Sequence, residues 1–383
     1  MKKKLLYIDP NSYSNMEIYG RDLLNNVEGY EILFAGNKQF DAEKNKRFNF
    51  IPLYSYNKFS NKIMQIISYF VSQIRLVLYV FYTKPDIIHI QWLKVYSLDV
   101  LVFSVIKKIT QTKIVFTAHN ILPHDTGDRY LSIFNKMYLL VDGIVIHSKN
   151  SYNEFKERFN HVSYKVSVID HGLLDYRIKE EDLKNNIQNL RHKLNVDSKV
   201  MIYLLIGKMH YYKGYDLVID AWINSPELNN RAEVCLIIAG SGNIKELELV
   251  SSSDNIHIIN EFLSDIDFVS LINLSDVVLF PYRKISQSGV LSVVLNEKKA
   301  SIVSNVGGLS DIFEIGKVGG VFKTLEREDI ESKILEFIKN GKLAVEANNY
   351  MKEWSKVHDY LNWSRIGKLT SSTYNEMLGV NNE

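Results

Sequence analysis

Short apolar runs rich in Val, Ile and Tyr recur along the chain, separated by stretches of helix length. In the first half they fall at residues 4–8, 31–35, 86–91, 113–117, 143–147 and 165–169. In the second half they fall at 200–206, 234–239, 256–259, 277–280, 301–304 and 320–322. The runs are continuous rather than alternating, as expected of parallel strands covered on both faces. Strands alternating with helices define the α/β class. Residues 176–198 are rich in Lys, Glu, Asn and Asp and hold no run of strand length, so a linker or linker helix is expected there. Residues 349–383 have helical composition, with Trp354 and Trp363 and no strand. The pattern predicts two doubly wound domains, 1–175 and 199–350, joined by the linker 176–198 and followed by C-terminal helices at 351–383. Ligands of such sheets gather at the carboxyl ends of the strands.

Residues 63–82 form one long apolar stretch, but Arg75 sits within it, and a charge at mid-span costs about 2.5–3.5 kcal/mol on insertion scales. Gln65, Ser68, Ser72, Arg75 and Tyr79 recur at steps of three and four and make one polar stripe on a helix. A buried or interfacial amphipathic helix is expected, with shallow membrane contact as the lesser alternative. After Met1, the basic start Lys2–Lys4 is followed by too short an apolar run for a signal core and reads as a first strand.

Charge changes this picture modestly. The whole chain carries +2, but residues 1–175 carry +6 and the remainder −4. That is too weak and dispersed for a nucleic-acid domain; it suits a loose approach to an anionic membrane. The single cysteine, Cys235, excludes an internal disulfide and a cysteine-cluster metal site and reads as a core thiol in a reducing cytoplasm.

The strand ends carry the candidate chemistry. Run 200–206 ends in Gly207 and Lys208, with Lys213 and Gly214 before an apolar helix; the two lysines can converge on one anionic group, or be unrelated loop lysines. Run 277–280 ends in Pro281, Tyr282 and Arg283, and Gln287, Ser288, Gly289 and Val290 open the next helix. A glycine at a helix start lets a phosphate approach free backbone N–H groups; a plain Ser288 cap is the structural alternative. Gly240 and Gly242 make a tight turn after run 234–239. Run 113–117 ends in Ala118, His119 and Asn120, with His124 and Asp125 beyond. These lack metal-ligand spacing, so a hydrogen-bonding His at a ligand crevice is expected instead. Asp265 and Asp267 mimic a metal–diphosphate motif but follow Ser264 ahead of an apolar run, the pattern of a helix cap.

Together these segments resemble the GT-B fold glycosyltransferases, specifically glycosyltransferase family 4 (group 1). Gly207-Lys208 with Lys213-Gly214 resembles that family's Gly-Arg…Lys-Gly signature, and residues 237–242 its Ile-Ala-Gly-x-Gly turn. Residues 281–283 with 287–291 resemble a subgroup pattern, and 301–308 the strand and double glycine closing the donor site. Residues 85–89, 117–120 and His171-Gly172 resemble segments of the N-terminal domain. The resemblance implies two Rossmann-like domains facing across a cleft, with the C-terminal helix crossing back. It implies a retaining transfer of a sugar from a nucleotide diphosphate sugar, without a metal or other cofactor. His119, Lys208 and Lys213 are the implied catalytic residues. Gly207, Gly240, Phe262, Tyr282, Arg283, Gln287, Ser288, Gly289 and Val290 are the implied donor contacts. Ser14, Asn15, Asn120, His124 and Asp125 are assigned to the acceptor side. The family's Glu-x7-Glu pair is missing: Ser286 holds the first position, Val294 or Leu295 the second, and Glu297 is out of register.

The expected function is a hexosyltransferase-type step in surface polysaccharide (exopolysaccharide, capsule) or glycolipid synthesis. The acceptor is expected to be lipid-linked, in a cytoplasmic enzyme peripheral on the inner membrane face. A soluble acceptor, or a catalytically weak subunit serving as scaffold of a glycosyltransferase pair, are the alternatives. A dinucleotide-dependent oxidoreductase is disfavoured because no Gly-x-Gly-x-x-Gly follows the first strand.

Overall fold

The computed structural model describes residues 2–41, 47–123, 126–340 and 348–380, less the side chains of 15, 163–165, 249, 251, 252, 340, 348 and 349. The chain divides into two compact units, one made of Met1–Gly172 with Leu361–Glu383, the other of Leu173–Tyr360.

The first unit is built on seven strands, β1 (Lys3–Asp9), β2 (Tyr30–Asn37), β3 (Asn49–Tyr54), β4 (Ile87–Ile90), β5 (Lys113–Thr117), β6 (Gly143–Ile146) and β7 (Val166–Val168). Their order is β3-β2-β1-β4-β5-β6-β7, and every pairing is parallel. The order reverses between β1 and β4, which places the topological switch at their carboxyl ends. Helices α1 (Glu17–Asn26), α2 (Lys62–Thr83), α3 (Tyr96–Ile109), α4 (Leu131–Leu140) and α5 (Lys149–Arg158) connect the strands. One sheet face packs Leu6, Ile88 and Ile114 against Leu76, Phe103 and Met137 of α2, α3 and α4. The other packs Leu5, Tyr7 and Val115 against Leu23 of α1 and residues from the chain's C-terminal end.

The second unit opens with α6 (Glu180–Lys193) and holds β8 (Met201–Ile206), β9 (Val234–Ala239), β10 (Ile256–Ile259), β11 (Val277–Phe280), β12 (Ala300–Ser304) and β13 (Gly319–Phe322). This sheet runs β10-β9-β8-β11-β12-β13, again parallel throughout. Its helices are α7 (Tyr215–Ile223), α8 (Pro226–Asn229), α9 (Asp265–Leu274), α10 (Gly289–Asn296), α11 (Ile312–Ile315), α12 (Arg327–Asn340) and most of α13 (Asn348–Leu361).

Residues 176–198 pack within the second unit, and the C-terminal helices divide between the two units near residue 361. Asn186 of α6 donates to Asp267 Oδ1 at 3.0 Å and to Ser270 Oγ at 3.1 Å on α9. The last helix, α14 (Trp363–Met377), belongs to the first unit. Tyr30 donates to Asn375 at 2.7 Å, Arg365 pairs with Asp170 at 3.2 Å, and Ile366 and Tyr374 are fully buried. Trp363 fits there because Gly172 has no side chain: a Cβ on it would lie 2.5 Å from the indole.

Candidate functional site

In the second unit the chemistry collects where β8, β9 and β11 end. Gly240 has φ +136°, and a Cβ there would lie 2.2 Å from the Gly207 carbonyl oxygen. The two strand-end turns therefore cross at backbone distance, with Gly207 N–H donating to Ala239 O and Met209 N–H to Ser241 O, both at 2.9 Å. Gly207 itself has φ +109°, and a Cβ on it would sit 2.9 Å from Lys213 Nζ and 3.7 Å from Val290 Cγ2. Gly207, Lys213 and the N-terminus of α10 thus meet in one place.

Lys213 is the dominant electrostatic feature here. It is only 7% exposed, and its ammonium lies 5.6 Å from the centroid of the buried Tyr282 ring. Burial pulls its pKa down from 10.5 to about 8. Among the described residues no carboxylate pairs with it, and an ammonium removed from water without an anion is costly unless a ligand supplies one. Lys208, one residue beyond the close approach, is exposed.

The start of α10 is prepared for the same anion. Ser288 caps the helix by accepting from Leu291 N–H at 3.3 Å. The Gly289 and Val290 amides precede the first intrahelical bond and carry the positive end of the helix dipole. Gly289 is exposed, and a Cβ there would meet only Leu174 Cδ1, at 3.6 Å.

Other residues expected at the donor site are placed differently. Arg283 is bidentate on Asp216, at 2.8 and 2.5 Å, donates to the Tyr211 carbonyl at 2.6 Å and covers the Tyr211 ring at 4.0 Å. Its charge is already matched, which suits it to holding the loop rather than neutralising a phosphate. Phe262 lies 86% exposed on the turn after β10. Gln287 is half-buried beside the cap. Val294 and Leu295 are buried, while Glu297 accepts from Asn273 at 2.8 Å at the far end of α10, so no carboxylate occupies the positions of the missing pair. Asp267 N–H donates to Ser264 Oγ at 3.2 Å, the capping geometry expected for the acidic pair. Among the described residues no His, Cys, Asp and Glu group has the arrangement of a metal site.

In the first unit His119 sits at the end of β5. Trp92 stacks flat on it, with centroids 4.3 Å apart and planes 5° from parallel, and Tyr19 meets it edge-on at 5.1 Å. His119 Nε2 lies 2.8 Å from Gln91 Oε1, and Nδ1 lies 3.3 Å from His147 Nε2. His147 Nδ1–H donates to the Ile169 carbonyl at 2.8 Å, so its Nε2 is the acceptor toward His119. A neutral His119 has one N–H to share between its two contacts. Burial and the neighbouring imidazoles hold His119 well below its ordinary pKa, and burial takes His147 to about 4 and His171 to about 3. The ring therefore acts near neutral pH as an uncharged hydrogen-bonding group.

His119, Asn120, Gln91 and Trp92 line a 230 Å³ cavity whose inner wall is Tyr96, Phe116 and Phe134. Ser14, on the turn after β1, takes φ +54° and is exposed. Asn15 follows it, but its side chain is not described, and His124 and Asp125 lie outside the described residues. Sequence reading assigned no site role to Gln91, Trp92 or the inner histidines, His89 and His147. The available signal was the position of Gln91-Trp92 directly after β4, at a strand's carboxyl end.

Comparison with known proteins bears on the fold and on the second unit. Residues 186–354 match the model of the glycosyl transferases group 1 family. Over 249 residues the chain is 26% identical to an uncharacterized glycosyltransferase of Methanocaldococcus jannaschii, a match covering 62% of this chain and 61% of that protein. A glycosyltransferase structure from Rickettsia africae superposes over 98% of this chain and 99% of its own at TM-score 0.72 and 18% identity. The Anabaena protein HepE in complex with UDP does so over 97% and 100%, at TM-score 0.68 and 14% identity. The chain has the GT-B fold, and its residues 186–354 are similar to the group 1 glycosyl transferases.

Proposed function

We propose that the protein transfers a sugar from a nucleotide diphosphate sugar, with retention of anomeric configuration, as a member of glycosyltransferase family 4. The observation that carries this reading is Lys213, a buried ammonium lacking an anionic partner among the described residues and set beside the N-terminus of α10. As the bond between the anomeric carbon and the diphosphate oxygen breaks, charge accumulates on the leaving diphosphate. A fixed cation and the Gly289 and Val290 amides stabilise that charge without reorganising. A protein of this fold, HepE, forms a complex with UDP, which supports a uridine nucleotide as the first donor to try.

On this reading the acceptor belongs to the first unit, where neutral His119 and Asn120 stand at the mouth of an aromatic cavity. A lipid-linked glycan of surface polysaccharide or glycolipid synthesis, met at the inner face of the plasma membrane, is the acceptor class we favour. No divalent ion is required, because Asp265 and Asp267 serve a helix start; transfer should survive EDTA, and restoration by a divalent ion after EDTA loss would overturn this part.

The test is a thermal-shift panel of UDP-, GDP- and dTDP-sugars on wild type and Lys213→Ala. Donor at a hundredfold excess over Kd stabilises by about 2.7 kcal/mol. One sugar nucleotide should raise the wild-type melting temperature and lose most of that effect in Lys213→Ala; a flat panel would sink the reading. The missing carboxylates beside α10 favour a second reading, a catalytically weak scaffold subunit. Donor binding with neither transfer nor donor hydrolysis would select it.

A further inference from the structure

Helix α2 is amphipathic in the inverted sense. Three polar side chains face inward: Ser72 donates to the Leu53 carbonyl at 2.9 Å, and Gln73 and Tyr69 donate to the buried Asp99 at 2.9 and 2.8 Å. Leu76 and Val80 complete that inner face in the sheet core. Outward, Ile63, Ile67, Phe70, Ile74, Leu78 and Phe81 follow one another at steps of four and three, and each is between 49% and 67% exposed. The adjoining α3 continues the surface with Leu101, Val105 and Ile109, also exposed. Contiguous apolar patches of this kind mark interaction surfaces rather than ordinary solvent faces.

The charges around the patch identify its partner. Lys62 opens α2, exposed Arg75 lies along it, Lys84 follows its end, and Lys108 closes α3. The only carboxylate on either helix, Asp99, is buried and bonded to Tyr69, Gln73 and the Lys94 and Val95 amides. An apolar face whose two helices carry exposed cations and no exposed carboxylate complements an anionic bilayer, and it repels the same face of a second copy. The hydrogen bonds and packing of the inner face hold α2 against β3 and α3, so the helix lies along the surface.

We propose that the α2–α3 face is a docking surface for anionic lipid, with α2 lying flat and its outer side chains buried in the headgroup–acyl boundary. This deepens the proposed function and rests on it only for its purpose, which is to bring the first unit to a lipid-linked acceptor.

The experiment is co-sedimentation of the full chain with vesicles of phosphatidylcholine, with and without phosphatidylglycerol, at low and high salt. Binding to the anionic vesicles at low salt, weakened by high salt, is expected. Phe70→Ser/Leu78→Ser should lower partitioning by about tenfold or more, as should Lys62→Glu/Arg75→Glu/Lys84→Glu. Both variants should keep the wild-type melting temperature and nucleotide-sugar thermal shift, which separates failure of the surface from failure of the donor reading. Three results would overturn the proposal: no binding at low salt, binding that survives both variants, or retention after alkaline carbonate. A wild-type dimer in solution that Phe70→Ser/Leu78→Ser dissolves would assign the face to a second copy and overturn it equally.

Discussion

Lys213 ties stability and function together at a single residue. Its pKa near 8, against 10.5 in an unfolded chain, means that the folded state binds fewer protons between these values. Stability therefore rises with pH from about 8 to 10.5, and the full penalty of the buried charge, roughly 3 kcal/mol, is present below pH 8. Lys213→Met should raise the urea midpoint of the second unit at pH 7, with the gain fading by pH 10.5. The same substitution should cut kcat/KM by roughly 10²–10³, the loss typical of one preorganised contact to developing charge. A variant that is both less stable and normally active would remove Lys213 from this scheme. Donor affinity should fall as pH climbs through 8 in the wild type and hold in a Lys213→Arg variant that still folds, because the guanidinium stays charged.

At the level of elements, the strands were legible because a doubly covered parallel sheet writes itself as unbroken apolar runs. The exception is β3, an edge strand with Pro52 within it, which pairs on one side only with β2 and needs no continuous run. The polar stripe on residues 63–82 was visible, but not that Ser72 and Gln73 would turn inward, because their partners Leu53 and Asp99 lie on other elements. Periodicity reports faces, and only tertiary partners decide which face is inside. The inner histidines were opaque for the same reason: β4, β5 and β6 each bring one or two polar residues to a shared end. The glycine turns, by contrast, were legible as turns though not as a crossing. Gly240→Ala should destabilise the second unit by roughly 1–3 kcal/mol, since φ +136° and the Gly207 carbonyl both oppose a Cβ. Urea unfolding would show an unchanged midpoint if the crossing were not structural. Tyr374→Phe on α14 removes the hydroxyl bonded to His89 Nδ1 and should cost the first unit roughly 1–3 kcal/mol. A second-unit midpoint that moved with it would contradict the division of the chain.

Over the whole molecule, the buried titratable groups make acid the selective stress on the first unit. His89 and His147, both fully buried, are held near 3 and 4 by loss of hydration, so below about 6.5 the unfolded state binds their protons and the folded state does not. Asp9 and Asp99 act in the opposite sense, because burial raises their carboxyls to about 7 and about 6. Through the middle of that range the folded state binds two protons there that the unfolded state lacks. The two pairs nearly cancel near pH 5, so the partly covered pair, His119 and His171, decides the outcome. Both are depressed chiefly by burial, His171 to about 3. Together they leave a surplus of protons on the unfolded state below about 6.5, and each full proton of surplus costs about 1.4 kcal/mol per pH unit as the pH falls. In the second unit burial also depresses His257 and His358, but both are only partly covered, and Asp265 is raised in the opposite sense, so the acid load there is lighter; the Lys213 shift lies at alkaline pH. Hydrogen exchange should therefore show the β1–β7 sheet opening near pH 5 while the β8–β13 sheet stays protected. His119→Asn/His171→Asn should flatten that acid limb while leaving the second unit's protection unchanged. If both sheets open at one pH, or the double variant opens as early as wild type, His119 and His171 do not control the acid limit.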